Sequence, residues 1–225
     1  LNCPFDCRYC FLQGMYQSAH YLLFINYEDF MNEIKVITEE SLEPTYFFSG
    51  YDSDSLAYEP ITQFIGNFLP FFSKHPKAIL ELRSKSANVK ELLKYNPPQN
   101  CIVAYSLNPE VLVKKVEHKT ASLEKRLNAI KALADHGYRI GLRFDPLIYD
   151  DKFYTLYDDL LQKVKRLNID NKIHSISTGI LRFPEKMHQK IIRNYPNDKL
   201  LNQVSHKRDK QVSYSTEKTK EMQET

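Results

Sequence analysis

The chain has 225 residues, 42% of them hydrophobic and 12% aromatic, which suits one domain with a sizeable core. A charged fraction of 26% excludes general disorder, and a net charge of +3 permits a polyanionic partner without marking a dedicated nucleic-acid binder. No run approaches the roughly eighteen apolar residues of a membrane span, and no basic-then-apolar leader opens the chain.

The first residue is Leu1, and a cysteine cluster follows at once. Such a cluster normally follows a strand, so the chain reads as N-terminally truncated. Tyr21-Leu22-Leu23-Phe24-Ile25 is β-rich and predicts a strand. From Asn26 to Glu40 the apolar residues Tyr27, Phe30, Ile34 and Ile37 recur with a helical period. Tyr46-Phe47-Phe48 predicts a strand ending at Ser49-Gly50. Tyr58 to Phe72 predicts a helix, stopped by Pro70 and Lys74-His75-Pro76. Ala78 to Arg83 alternates as a strand, and a short helix is expected from Ala87 to Lys94. Asn96-Pro97-Pro98 turns the chain into a strand from Cys101 to Leu107.

The clearest helix runs from Ser122, a plausible N-cap, to His136, with Gly137 as its stop. A strand (Tyr138 to Phe144), a helix (Phe153 to Leu167) and another strand (Ile173 to Leu181) follow. Pro184 then opens a helix to Asn194. Alternating strands and helices predict an α/β fold with a parallel sheet, a complete or partial β/α barrel. An open doubly wound sheet is the alternative. Residues 1–200 are expected to form the catalytic core, and 201–225 a polar C-terminal tail or truncated hairpin region.

The chemistry concentrates in Cys3-Pro4-Phe5-Asp6-Cys7-Arg8-Tyr9-Cys10. Three thiols within eight residues converge on one point more easily than they pair with distant partners, so a metal site in a reducing, cytoplasmic setting fits better than disulfides. Three thiolates suit a [4Fe–4S] cluster with one iron left open for a ligand. Zinc would need a fourth ligand; His20 and Cys101 are available, but neither has zinc-finger spacing. A metal-free structural loop is the third option. His118, His136, His174, His188 and His206 are scattered and suggest no ligand set.

With its C-x3-C-x2-C loop, the chain resembles the radical S-adenosylmethionine (SAM) superfamily, and within it spore photoproduct lyase and its relatives. Cys7 to Gln13 resembles that family's cluster loop. Ser53-Asp54, Leu82-Arg83-Ser84-Lys85 and Tyr105-Ser106-Leu107-Asn108 resemble its strand ends. Glu117 to Arg126, the run on to Gly137-Tyr138, and Phe183 to Pro196 continue the likeness, to about residue 200.

The resemblance implies that Cys3, Cys7 and Cys10 hold the cluster and that Tyr9, Ser53, Lys85 and Ser106 contact SAM. It implies reductive cleavage of SAM to a 5′-deoxyadenosyl radical that takes hydrogen from a substrate. An electron donor such as flavodoxin or ferredoxin is implied too. In the lyase the substrate is a thymine-dimer lesion, which makes damaged DNA a candidate partner. Two positions depart from the lyase. Tyr51 stands where it carries a hydrogen-donating cysteine, and Phe11 where it carries a tyrosine. Cys101, the one spare thiol, lies at the start of its strand, roughly 16 Å from the mouth by strand rise. The lyase's basic, aromatic hairpin is not evident in Lys207 to Tyr214. Three functions follow: a lyase-like radical reaction on another substrate, thymine-dimer repair proper, or a non-enzymatic metal-binding module.

Overall fold

The structure is a computed structural model that describes residues 2–15, 18 and 20–223. The cysteine loop contributes a two-residue strand, β1 (Asp6–Cys7), and runs into α1 (Leu12–Met15). Helix α2 (Tyr27–Glu40) leads to β2 (Thr45–Ser49), and α3 (Glu59–Thr62) and α4 (Phe64–Lys74) lead to β3 (Ala78–Ser84). After β4 (Cys101–Ser106) come α5 (Glu110–Val116), the short β5 (Glu117–His118) and α6 (Leu123–His136). The alternation ends with β6 (Arg139–Leu147), α7 (Phe153–Lys165) and β7 (Ile173–Ile180). Then follow β8 (Arg182–Pro184), α8 (Glu185–Asn194), α9 (Lys199–Gln203), β9 (His206–Arg208), β10 (Gln211–Ser213) and α10 (Thr216–Gln223).

Among the described residues, β2, β3, β4, β6 and β7 form one parallel sheet in that order. Strand order never reverses, so the sheet has no switch point of the kind that defines a doubly wound fold. It is a five-stranded parallel half-barrel. Alternate strand residues such as Leu80, Leu82, Val103, Tyr105, Ile140 and Leu142 belong to the apolar core. The other face is mixed, with Tyr46, Phe48, Ile102 and Ala104 beside charged residues. Arg143 crosses β4 to reach Glu81, with Nη2 2.7 Å from Oε2, and both side chains are buried. Gly141 makes room for it, since a Cβ there would lie 2.8 Å from Arg143 Nη2 and 2.9 Å from the Ala104 Cβ.

Three local expectations are corrected. Residues 21–25 form no strand and their side chains are exposed; β-rich composition alone does not make a strand. The helix expected from Tyr58 to Phe72 breaks at Gln63, whose φ of 50° is left-handed. Glu59 Oε1 accepts the Ile65 amide at 3.0 Å and so caps the second helix, while Pro70 lies inside that helix instead of stopping it. Between Ala87 and Lys94 only Leu92–Lys94 is helical, as a 3-10 turn. There Ser84 and Ser86 hydroxyls take the Ser86 and Asn88 amides at 2.8 and 3.1 Å, in competition with helix formation.

Past residue 200 the chain is folded. β10 pairs with both β8 and β9, and Asp209 and Lys210, both at positive φ, make the hairpin turn. Val212, Tyr214 and Met222, the apolar exceptions in that polar stretch, are buried. No helix of the described residues is long and apolar enough to cross a membrane.

Candidate metal centre and active site

The cysteine loop is held from two sides. On one, β1 pairs antiparallel with β5, Cys7 opposite Glu117, and the Arg8 amide donates to Val116 O at 2.8 Å. On the other, the Arg8 guanidinium bonds Asp6 at 2.8 Å and stacks 4.0 Å over the Tyr195 ring. Its Nε lies 3.6 Å from Asp198 Oδ2. Gln13 Nε2 donates to Asp6 Oδ1 at 2.8 Å. Between these clamps the Cys10 amide donates to Cys7 O at 3.0 Å, the tight turn that the short cysteine spacing requires.

All four cysteines are free thiols. Burial pushes Cys3 up to about 12 and raises Cys7 and Cys10, so as bare thiols they stay protonated. Cys10 acts on both Cys3 and Cys7, and the Lys85 ammonium lowers all three, so the thiols and Lys85 share one electrostatic neighbourhood. Lys85 itself is held above its ordinary value. Burial opposes its charge; the Glu117 carboxylate favours it, and so does Cys7 once it is a thiolate. Lys85 Nζ lies 5.5 Å from the Tyr9 ring centroid.

Among the described residues, no group of three or more His, Cys, Asp and Glu side chains is arranged to hold a metal ion. A cubane spreads its thiolates over three irons, farther apart than ligands of one ion, and three unpaired thiols beside a cation fit such a group. Cys101 is fully buried at the start of β4, away from the set.

Asp54 organises the strand-end loops beside the thiols. Its Oδ1 accepts from the amides of Leu56 and Ala57 at 3.1 and 3.0 Å and from Ser84 Oγ at 2.8 Å. Its Oδ2 accepts the Lys85 amide at 2.7 Å. Burial raises this carboxyl even against those four bonds. Ser53 Oγ donates to Asn2 O at 3.0 Å, joining the loop after β2 to the residue before Cys3. Gly50, at φ +84°, permits the close approach of that loop to β3: a Cβ would stand 2.8 Å from Arg83 O. Tyr51 is 72% exposed, and its ring touches Phe11.

Tyr9 is buried and donates its hydroxyl to Glu117 Oε1. Glu117 also accepts from Asn108 Nδ2 at 2.9 Å and from Arg126 Nη2 at 2.5 Å, the guanidinium and carboxylate both fully buried. Arg126 further bonds Ser106 O at 3.0 Å, which ties the end of β4 into the same network. The structure thus groups Cys3, Cys7, Cys10, Tyr9 and Lys85, brings Ser53 in through Asn2, and links Ser106 through Arg126. Sequence reasoning gave no role to Asp54, Glu117, Asn108 or Arg126. One signal for Arg126 was legible: it falls on the apolar stripe of α6 with Leu123, Leu127 and Ile130, where a charge demands a buried partner.

A family model described as Spore photoproduct lyase matches residues 1–224. The chain is 24% identical over 201 residues to a spore photoproduct lyase of Clostridium acetobutylicum, covering 88% of this chain and 60% of the relative. It is 25% identical over 203 residues to that of Bacillus subtilis, covering 88% and 59%. The chain therefore spans about 60% of the length of these curated relatives. Among solved structures, it is similar to a spore photoproduct lyase mutant with bound AdoMet and dinucleoside spore photoproduct, with a TM-score of 0.88 and 22% identity. A spore photoproduct lyase complexed with dinucleoside spore photoproduct gives 0.86 and 23%. In both cases 99% of this chain and 69% of the other are covered.

Proposed function

Because this chain belongs to the spore photoproduct lyase family, we propose that it is a radical SAM enzyme, with residues 1–200 as catalytic core and 201–225 as an appended hairpin region. The observation that supports the reading is the family match over residues 1–224, together with three free thiols on one short loop and a cation, Lys85, near enough to act on them. The three cysteines would hold a [4Fe–4S] cluster, and Tyr9, Ser53, Lys85 and Ser106 would line SAM. When both are bound, they supply reductive cleavage of SAM to a 5′-deoxyadenosyl radical.

The protein's own part is positioning. Lys85 offers its ammonium to the methionyl carboxylate, a charge-assisted bond. Ser53 and Ser106 offer hydroxyls to SAM's polar groups. Asp54 fixes the backbone from which Lys85 projects, and the Tyr9 ring walls the site beside the cysteines. The mouth lies at the C-terminal ends of parallel strands, where barrel folds build active sites. An electron donor such as flavodoxin or ferredoxin, in a reducing cytoplasm, completes the system.

Phe11 and Tyr51 favour a substrate other than the lyase's thymine dimer, because the pair offers no thiol to return hydrogen to a product radical. The second reading, thymine-dimer repair with damaged DNA as partner, draws on the relatives' name and on the dinucleoside lesion bound in similar structures. The test is anaerobic reconstitution with SAM and dithionite, assayed for 5′-deoxyadenosine with and without an irradiated oligonucleotide. Production of 5′-deoxyadenosine with the oligonucleotide unrepaired is the expected result. Repair by the unaltered protein would establish the second reading, and no SAM cleavage would overturn both.

A further inference from the structure

We propose that Glu117 is the positioning residue of the cysteine loop: it holds Tyr9 by the hydroxyl, and its buried charge, balanced by Arg126, tunes the reduction potential of the cluster bound there. The inference rests on the cluster reading above and goes beyond it by giving a function to residues that touch neither the thiols nor, by the family likeness, SAM.

The first support is where Glu117 sits. It opens β5, and its backbone pairs with Cys7 across the two-residue ladder. Its side chain turns back to the same loop, where the Tyr9 hydroxyl donates to Oε1. A single residue thus grips the segment Cys7-Arg8-Tyr9 twice, by backbone and by side chain. The grip is rigid because the Glu117 carboxylate is itself fixed from two further directions. Asn108, from the loop after β4, donates to Oε1; Asn108 is in turn held by the Tyr157 hydroxyl of α7 at 2.9 Å. Arg126, from α6, donates to Oε2. Loop position is therefore coupled to three crossover elements of the half-barrel.

The second support is charge. A fully buried carboxylate costs several kcal/mol unless it is paired. Arg126 supplies that pair, and its other donors are taken by Ala121 O, Ser106 O and Thr120 Oγ1 at 2.9, 3.0 and 2.7 Å, so it is a fixed counter-charge. Glu117 remains close enough to act on both Cys7 and Lys85. A negative charge held near the thiolates disfavours adding an electron to a cluster among them, since charge interactions in a buried site are weakly screened. Structural support alone could have been given by a neutral side chain. A charge pair at this point acts on the cluster as well as on the fold.

The experiment uses the reconstituted chain, with iron content, midpoint potential and rate of iron release to a chelator measured separately. In Glu117→Gln the potential is expected to rise, because a negative charge is removed. In Glu117→Asp the charge stays but withdraws from the Tyr9 hydroxyl, so the potential should remain near the parent's while iron release quickens. Tyr9→Phe, which keeps the whole charge pair, should release iron about tenfold faster, in line with loss of a hydrogen bond to a charged group. A potential unmoved in Glu117→Gln, or iron release unchanged in both Tyr9→Phe and Glu117→Asp, would overturn this inference while leaving the cluster reading intact. Should Glu117→Gln fail to fold, Tyr9→Phe and Glu117→Asp decide the positioning, and Arg126→Gln, which leaves the carboxylate uncompensated and should lower the potential, decides the tuning; a potential unmoved there would overturn it. A parent protein that binds no cluster would overturn the cluster reading and this inference together.

Discussion

The rings of Phe11 and Tyr51 are in contact, their centroids 5.7 Å apart and their planes tilted by 49°. Phe11 follows the last cysteine of the loop, and Tyr51 follows β2, so two elements meet at the mouth through this pair. By the family resemblance these two positions are where the lyase carries a phenol and a thiol, so that the two departures fall together, in contact. Thiols pass hydrogen to carbon radicals much faster than phenols do, although the two bonds are of similar strength, so hydrogen return from Tyr51 to a carbon radical is slow. Tyr51→Cys is expected to leave SAM cleavage intact and a thymine-dimer oligonucleotide unrepaired, as read by product chromatography. Clean repair gained by that one substitution would identify the chain as a repair enzyme altered at its hydrogen donor.

Lys85 is the cation of the thiol group and lies over Tyr9. Lys85→Ala should weaken SAM binding by about 1.5–3 kcal/mol, the usual worth of a charged hydrogen bond, roughly ten- to hundredfold in affinity. The cluster absorbance should persist. Equilibrium binding of SAM to reconstituted protein checks this, and unchanged affinity would remove Lys85 from the site.

Asp54 holds two strand-end loops with four accepted bonds. Asp54→Asn presents an amide N–H₂ where an acceptor is needed, leaving at least one buried partner unsatisfied. The expected cost is roughly 1–3 kcal/mol of stability by denaturant unfolding, with weaker SAM binding because Lys85 shifts. Loss of stability with full SAM affinity would separate Asp54 from the site.

Glu59 tests the electrostatics away from the site. Burial pushes its carboxyl up to about 7, and its Oε2 has no hydrogen-bond partner among the described residues. Unfolded, the group ionises near its ordinary value of 4.5; folded, it ionises near 7. Between those values the folded state binds the extra proton, so stability falls as pH rises through the window and the full penalty applies above it. Glu59→Gln keeps the Oε1 acceptor for the α4 cap. It should raise stability at pH 8 by roughly 1–3 kcal/mol and flatten the slope between pH 4.5 and 7. A variant no more stable at pH 8 would contradict the shift.

The parallel sheet was legible because its strands are β-rich runs separated by amphipathic helices. The runs at Tyr46, Ala78, Cys101, Tyr138 and Ile173 all became strands. The run at Tyr21 has the same composition and is no strand, since composition does not say whether a partner strand is present. The break at Gln63 was hidden because Ile61, Phe64, Ile65 and Phe68 keep a helical period across it. The hairpin past residue 200 was hidden because its few apolar anchors, Val212 and Tyr214, lie among charges. At the site, the three cysteines stand out by the spacing of their loop, and Lys85 by the family resemblance. The Tyr9–Glu117–Arg126 network does not, because its members come from separate elements that only the fold assembles.

The central claim is that Cys3, Cys7 and Cys10 hold a [4Fe–4S] cluster, and metal content with absorbance after anaerobic reconstitution tests it most directly. The account predicts about four irons per chain and an absorbance near 400 nm that is lost when any one of the three cysteines is changed to Ala. Stoichiometric zinc without iron, or an absorbance indifferent to all three changes, would contradict it.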